Sequence, residues 1–171
     1  MTTIQKATPK DYEILTEIGK TSFLESQGHC ASAADVAVYI NTKYTHEILK
    51  EELNNPDNQY YILYYNGQAA GYSKIIYNAP HPNIPIENIT KLERIYLLKE
   101  FYGLNLGAEL FQFNLELSKK NGQAGIWLFV WVENHRATRF YEKNGFEIVG
   151  KHDFKISENH SNPNHQLFLA Y

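Results

Sequence analysis

The run IWLFVWV at 126–132 constrains this chain more than any other stretch. It is apolar without a break, so a strand with one wet face does not fit it. A strand buried on both faces does, and such a strand needs helices over each side of its sheet. The run then breaks into VENHRATRFYEKNGF at 132–146. Asn134 stands where the strand runs out, and a short helix from Asn134 to Lys143 carries Ala137, Phe140 and Tyr141 on one side. Asn144-Gly145 ends it.

The segment just upstream reads in the same way. Lys91 to Leu97 is a strand, and a helix runs from about Gly107 to Lys120 with Leu106, Leu110, Phe113 and Leu117 as its apolar stripe. Lys119 and Lys120 suit the negative end of that helix, and Asn121-Gly122 stops it. Strand, helix and strand over 91–132 predict a parallel pair joined by a right-handed crossover. Between the first strand and its helix lies FYGLNLGAELF, 101–111. A helix start carries unpaired N–H groups and the positive end of the helix dipole. Gly103 and Gly107 permit close backbone approach, and Ala108 leaves room at the first turn. Each such N–H on a diphosphate contributes about 1.5–3 kcal/mol, so no lysine inside the loop is required. The alternative is an ordinary turn. No Gly-Lys-Ser/Thr follows and no Gly-x-Gly-x-x-Gly occurs, which excludes the usual nucleotide loops.

The remaining elements complete an α/β pattern. Thr3 to Ala7 is a strand. Pro9-Lys10-Asp11 opens a helix with Tyr12, Leu15, Ile18 and Phe23 at near-helical spacing. Ser32 to Ile40 and Thr45 to Leu53 are two more helices. Gln59 to Tyr65 and Gln68 to Tyr77 form a hairpin, because Asn66-Gly67 supplies the two positive-φ residues of a type I′ turn. Residues 78–88 are a Pro-rich loop. Phe146 to Lys151 and Gln166 to Tyr171 are the last strands, with a polar loop at 157–165 between them. Residues 1–171 read as one domain with no repeat.

Composition narrows the function. The chain has 171 residues, a net charge of −3, 14% aromatic residues and 13 tyrosines. That balance argues against nucleic acid as a general partner. No apolar run approaches the roughly 20 residues that span a bilayer. The single cysteine, Cys30, allows no internal disulfide, and with the polar N-terminus it fits a cytoplasmic protein. His29 with Cys30, His152 with Asp153, and His160 with His165 give no convincing nucleophile or metal set, so no metal is expected.

Two motifs carry a resemblance to a known family. Tyr102, Gly103, Leu104, Asn105, Leu106 and Gly107 match a Gln/Arg-x-x-Gly-x-Gly/Ala loop, and Asn134-x-x-Ala137-x-x-Phe140-Tyr141-x-Lys143-x-Gly145-Phe146 matches a second run. Together they resemble the GCN5-related N-acetyltransferases, and LERIYL, IWLFVWVEN and RFYEKNGF resemble the PaiA-like bacterial polyamine (spermidine/spermine) acetyltransferases. The likeness covers roughly residues 90–150. It departs at Tyr102, where Gln or Arg is usual, and at Asn105, where Gly is usual; Asn tolerates the left-handed region better than most residues. The resemblance implies the GNAT fold: a mixed, mostly antiparallel sheet whose central parallel pair splays around acetyl-CoA, with helices on both faces. It implies acetyl-CoA as co-substrate, held by Ile95, Tyr96, Leu97, the loop from Tyr102 to Ala108, Asn134, Ala137 and Tyr141. A non-catalytic acyl-CoA-binding module is the rival class, and a homodimer stays an open expectation.

An alkyl amine has a pKa near 10.4, so at pH 7 about one molecule in 2,500 is neutral and the proton costs about 4.6 kcal/mol to remove. The resemblance assigns that task to Glu93, expected on one sheet face with Ile95 and Leu97. An ion pair with Arg94 or Lys91 is the alternative, though strand neighbours one apart face opposite ways. Tyr141 is its choice of acid for the thiolate, with a core aromatic beside Phe140 as the alternative, and a backbone N–H near Leu97 its oxyanion donor. Asn134 would bond the pantetheine arm, with a plain N-cap as the alternative. Arg136 and Arg139 are candidates for the nucleotide phosphates, with exposed helix charge as the alternative. The acids Glu25, Asp35, Glu47, Glu51 and Glu52 suggest a field for a polyamine; an amino acid, a peptide amine or an aminoglycoside is the alternative acceptor.

Overall fold

A computed structural model describes residues 1–171. Seven strands form one sheet in the order β1-β2-β3-β4-β5-β7-β6. They are β1 (Thr2–Lys6), β2 (Gln59–Tyr65), β3 (Gln68–Ile76), β4 (Thr90–Leu97), β5 (Gly125–Trp131), β6 (Glu147–Ser157) and β7 (His160–Ala170). Only β4 and β5 run parallel. The helices are α1 (Tyr12–Gln27), α2 (Ala33–Lys43), α3 (His46–Asn54), α4 (Leu106–Lys120) and α5 (His135–Lys143). Helices α1, α2 and α3 bury Phe23, Tyr39, Tyr44 and Leu49 on one face against Tyr60, Ile62 and Tyr72. On the other face Phe111 and Leu115 of α4 and Tyr141 of α5 pack on Ile75, Leu92, Ile126 and Leu128. The fully apolar β5 is covered by α4 and α5 on one side, through Ile126, Leu128 and Val130, and on the other by Ile84 and Ile89, which pack on Trp127.

The hairpin turn forms as its chemistry requires, with Asn66 at φ 49° and Gly67 at φ 79°. Two expectations are corrected. The polar segment 157–165 is no loop: β6 and β7 extend through most of it, and only Glu158 and Asn159 separate them. Its alternate polar residues Asn162, Asn164 and Gln166 point inward and are buried, so a period of two is present without apolar side chains. Pro163 fits because its carbonyl accepts from Val132 N–H (3.0 Å) just past the end of β5, so its missing N–H falls where that strand runs out. The apolar stripe of α4 is also rotated. Leu106, Leu110, Phe111, Asn114, Leu115 and Ser118 are its buried residues, while Phe113 and Leu117 are half-buried flanks. Two polar residues belong to the buried face because each has a partner: Ser73 donates to Asn114 (3.1 Å), and Ser118 meets Thr90 (2.6 Å).

Candidate functional site

The site begins where the sheet opens. Pairing between β4 and β5 is limited to Thr90 with Ile126 and Lys91 with Trp127, although both strands continue to Leu97 and Trp131. Beyond Lys91 a gap separates them. On its far side β4 stays paired to β3, and Leu98 N–H bonds the Ala70 carbonyl (2.8 Å). Backbone groups alternate along a strand, so the N–H groups of Ile95 and Leu97 face the gap.

The loop from Tyr102 to Asn105 closes one end of the gap. Gly103 has φ +82° and Asn105 φ +62°, so both residues take the left-handed region that the turn needs. Asn105 N-caps α4 without a side-chain hydrogen bond, which leaves the first-turn N–H groups free for an anion. Tyr102 and Leu104 are exposed, Leu106 is buried, and Gly107 and Ala108 are half-buried. A Cβ on Gly107 would meet only Leu97 Cδ1, at 3.5 Å. The protein itself therefore leaves room there. Across the opening, the Arg136 guanidinium lies 5.3 Å from the Tyr102 ring centroid.

Helix α5 supplies the other wall. Asn134 caps it, with its Oδ1 accepting from Ala137 N–H (3.2 Å), so that oxygen has a structural task. Tyr141 is buried among Phe111, Phe140 and Phe146. Burial alone raises its pKa. Its ring belongs to the α4 side and that of Tyr96 to the α1–α3 side. The Tyr96 phenol is nonetheless held protonated by burial first, then by Tyr44 and Tyr39, with Tyr141 a further contributor.

Glu93 departs from its expected position. Lys74 pairs with Arg94 and Ile75 with Leu92, so Glu93 is an extra residue, a β-bulge, on β4. The bulge turns Glu93 and Arg94 to the same face. Ile95 and Leu97 pack on the opposite, α4-facing side; the expectation that Glu93 shares their face is corrected. Alternation fails there because two residues of β4 oppose one of β3. Glu93 pairs tightly with Lys74 and, at 3.5 Å, with Lys91. Glu52 of α3 joins the network, 3.4 Å from Lys74 and 3.5 Å from Arg94, and accepts from the Tyr60 hydroxyl. Burial pushes the Glu93 pKa up, but Lys74, Lys91 and Arg94 together leave it lowered. The alternative of an ion pair with Lys91 is therefore realised, while Lys74, the closer partner, was not foreseen; its charge within β3 was the signal for it.

The other acids do not gather here. Glu25 accepts from Lys99 N–H, Asp35 bonds Ser32 and Ser157, and Glu47 and Glu51 are exposed on α3. No three His, Cys, Asp or Glu side chains are placed to hold a metal ion. No helix is long and apolar enough to cross a membrane.

A mixed sheet parted at its single parallel pair, with a free helix start at the opening, has the form of an acyl-CoA-dependent transferase. The model of the Acetyltransferase (GNAT) family matches residues 23–146, and the chain belongs to that family. It is accordingly an acetyl-CoA-dependent N-acetyltransferase. An uncharacterized N-acetyltransferase from the pepI 3′ region of Lactobacillus delbrueckii subsp. lactis is 28% identical over 155 residues, 91% of this chain and 90% of that one. Spermidine N(1)-acetyltransferase of Thermoplasma acidophilum is 27% identical, covering 85% and 88% of the two chains. The fold matches the PaiA N-acetyltransferase of Thermoplasma acidophilum, solved with coenzyme A, at a TM-score of 0.80 and 22% identity over 100% and 99% of the chains.

Proposed function

We propose that the protein moves an acetyl group from acetyl-CoA to a primary amine at the gap between β4 and β5. The carrying observation is the set of groups around that one opening: free N–H groups of Ile95 and Leu97, Glu93 on the bulge, and Tyr141 on the far wall. The pantetheine arm lies along Ile95, Tyr96 and Leu97, and the free amide of Asn134 reaches it. The diphosphate meets the N–H groups from Tyr102 to Ala108. Glu93 receives the amine proton, directly or through water. The amine nitrogen attacks the thioester carbon, and the Leu97 N–H stabilises the oxyanion. As the C–S bond breaks, the electron pair goes to sulfur, and the nitrogen gives up its second proton to solvent or to the departing thiolate. A free thiol has a pKa near 8.5, below that of the buried phenol. Tyr141 therefore acts mainly by a hydrogen bond to the developing thiolate.

A polyamine such as spermidine or spermine is the acceptor that the Thermoplasma spermidine enzyme supports. The charges at Glu93 favour a second reading. Three cations, Lys74, Lys91 and Arg94, meet two carboxylates there, so an acceptor carrying its own acid group suits the site better than a polycation. A panel of amines with acetyl-CoA, followed by release of free CoA, tests the activity. Acetyl-CoA binding with no thiol release from any amine would replace this reading with a non-catalytic binding module.

A further inference from the structure

On the face that Glu93 occupies, five segments meet over two aromatic rings. Lys91, the last residue of β4 still paired to β5, holds its ammonium 5.2 Å from the Trp127 centroid and 5.5 Å from that of Phe129. His81, from the loop before β4, lies 5.1 Å from the Trp127 ring. His152 of β6 stacks on Phe129 at 4.2 Å. Gln166 of β7 is opposite Phe129 in the ladder and completely buried. The sequence disperses these residues over more than eighty positions, and the sheet order brings them together.

The polar groups in this wall are donors. Lys91 brings an ammonium. His81 accepts Asn83 N–H on Nδ1 (3.2 Å), so its neutral ring carries the proton on Nε2. Burial, then His152 and Lys91, lower its pKa and keep it neutral. Gln166 accepts from Asn83 Nδ2 on its Oε1 (2.8 Å), which assigns its Nε2 as the donor end, and that Nε2 has no partner. Gly150 makes this arrangement possible, since a Cβ there would come within 2.4 Å of Asn83 Nδ2. A buried, unpaired N–H is costly in a native protein and marks a place where an acceptor atom belongs. The nearest carboxylate, Glu93, is already shared between Lys74 and Lys91.

We propose that His81 and Lys91, backed by the buried Gln166 amide, form a subsite for a carboxylate on the acceptor, so that the substrate is an amino acid with its amine directed to Glu93. The proposal rests on the acetyl-transfer reading and names its substrate class. Lys91 Nζ lies 3.5 Å from Glu93 Oε1, so the recognised acid and the reacting amine are a few bonds apart, and a short amino acid spans them. A second ammonium at the same place faces Lys91 and N–H donors, which repel it.

Three probes of one chain length decide the matter: γ-aminobutyrate, n-butylamine and putrescine, each assayed by CoA release. The expected kcat/KM for γ-aminobutyrate exceeds both others by at least about tenfold, the size of one desolvated charge pair. In Lys91→Met the ratio of γ-aminobutyrate to butylamine should fall towards unity, and Lys91→Arg should recover part of it. Melting curves check that both variants are folded, and the wild-type comparison stands without them. Putrescine or butylamine matching γ-aminobutyrate overturns the carboxylate subsite and leaves acetyl transfer standing. No CoA release with any of the wider amine panel overturns both.

Discussion

The two sides of the β4–β5 gap are built by different means. On the side of α4 and α5 the working groups are mostly backbone: N–H groups of a helix start, a turn set by Gly103 and Asn105, and strand N–H groups that β5 leaves unpaired. One side-chain hydroxyl, Tyr141, supplements them. On the side of α1–α3 the working groups are side chains from distant segments: Glu52, Lys74, Lys91, Glu93 and Arg94, with Tyr60 among them. Backbone sites are short-range and tolerate changes of side chain. This explains how a loop with Tyr102 and Asn105 in place of the usual residues keeps its geometry. Side-chain sites depend on tertiary placement, and under the proposed function this one carries the choice of acceptor.

Tyr141→Phe gives the largest break in that comparison. It removes the one side-chain donor from the backbone side. We expect kcat to fall about 10²- to 10³-fold, the loss of one hydrogen bond to a developing anion, with acetyl-CoA affinity largely kept. A kcat within about threefold of the parent, under about 1 kcal/mol of barrier, reassigns Tyr141 to packing. Gly107→Val comes next. The site has room for a Cβ there, so the protein should fold, while the added methyls block a ligand's approach to the α4 N-terminus. Calorimetry should show acetyl-CoA binding weakened by about tenfold or more, the loss of one charged hydrogen bond. Unchanged affinity removes the cofactor from that helix start.

Lys74→Met should have the smallest effect and bears on the other side. Lys74 lowers the Glu93 pKa, so removing it should raise that pKa. The acidic limb of kcat/KM, which falls as Glu93 takes up a proton, should then move to higher pH. A limb that stays in place in a folded variant shows that Glu93 is not the titrating base.

The same contrast explains what was legible beforehand. Asn66-Gly67, Gly103 and Asn105 state their φ requirement in the residue itself, and the unbroken run at 126–132 states its two-sided burial. The α/β class and the parallel pair follow from such local signs, whereas the parting of that pair was implied only by the family resemblance. The bulge at Glu93 has no local sign. Asn114, Ser118 and Gln166 are polar residues whose burial depends on partners far along the chain, so apolar periodicity missed them and placed the face of α4 on Phe113 and Leu117. The extent of β6 and β7 was hidden for the same reason, because their inward positions carry Asn162, Asn164 and Gln166.

The extra residue at Glu93 also makes the strand a matter of parity. From Thr90 to Glu93 odd positions face α1–α3; from Arg94 to Leu97 even ones do. Deleting Glu93 itself would restore ordinary counting, with Arg94 still opposite Lys74 and Leu92 still opposite Ile75, and every other residue of the strand would keep its face. The bulge is thus a one-residue addition that sets a carboxylate beside Lys74 and Lys91 without turning Leu92, Ile95 or Leu97 out of the α4 side. A strand without it would keep its core and lose only the acid.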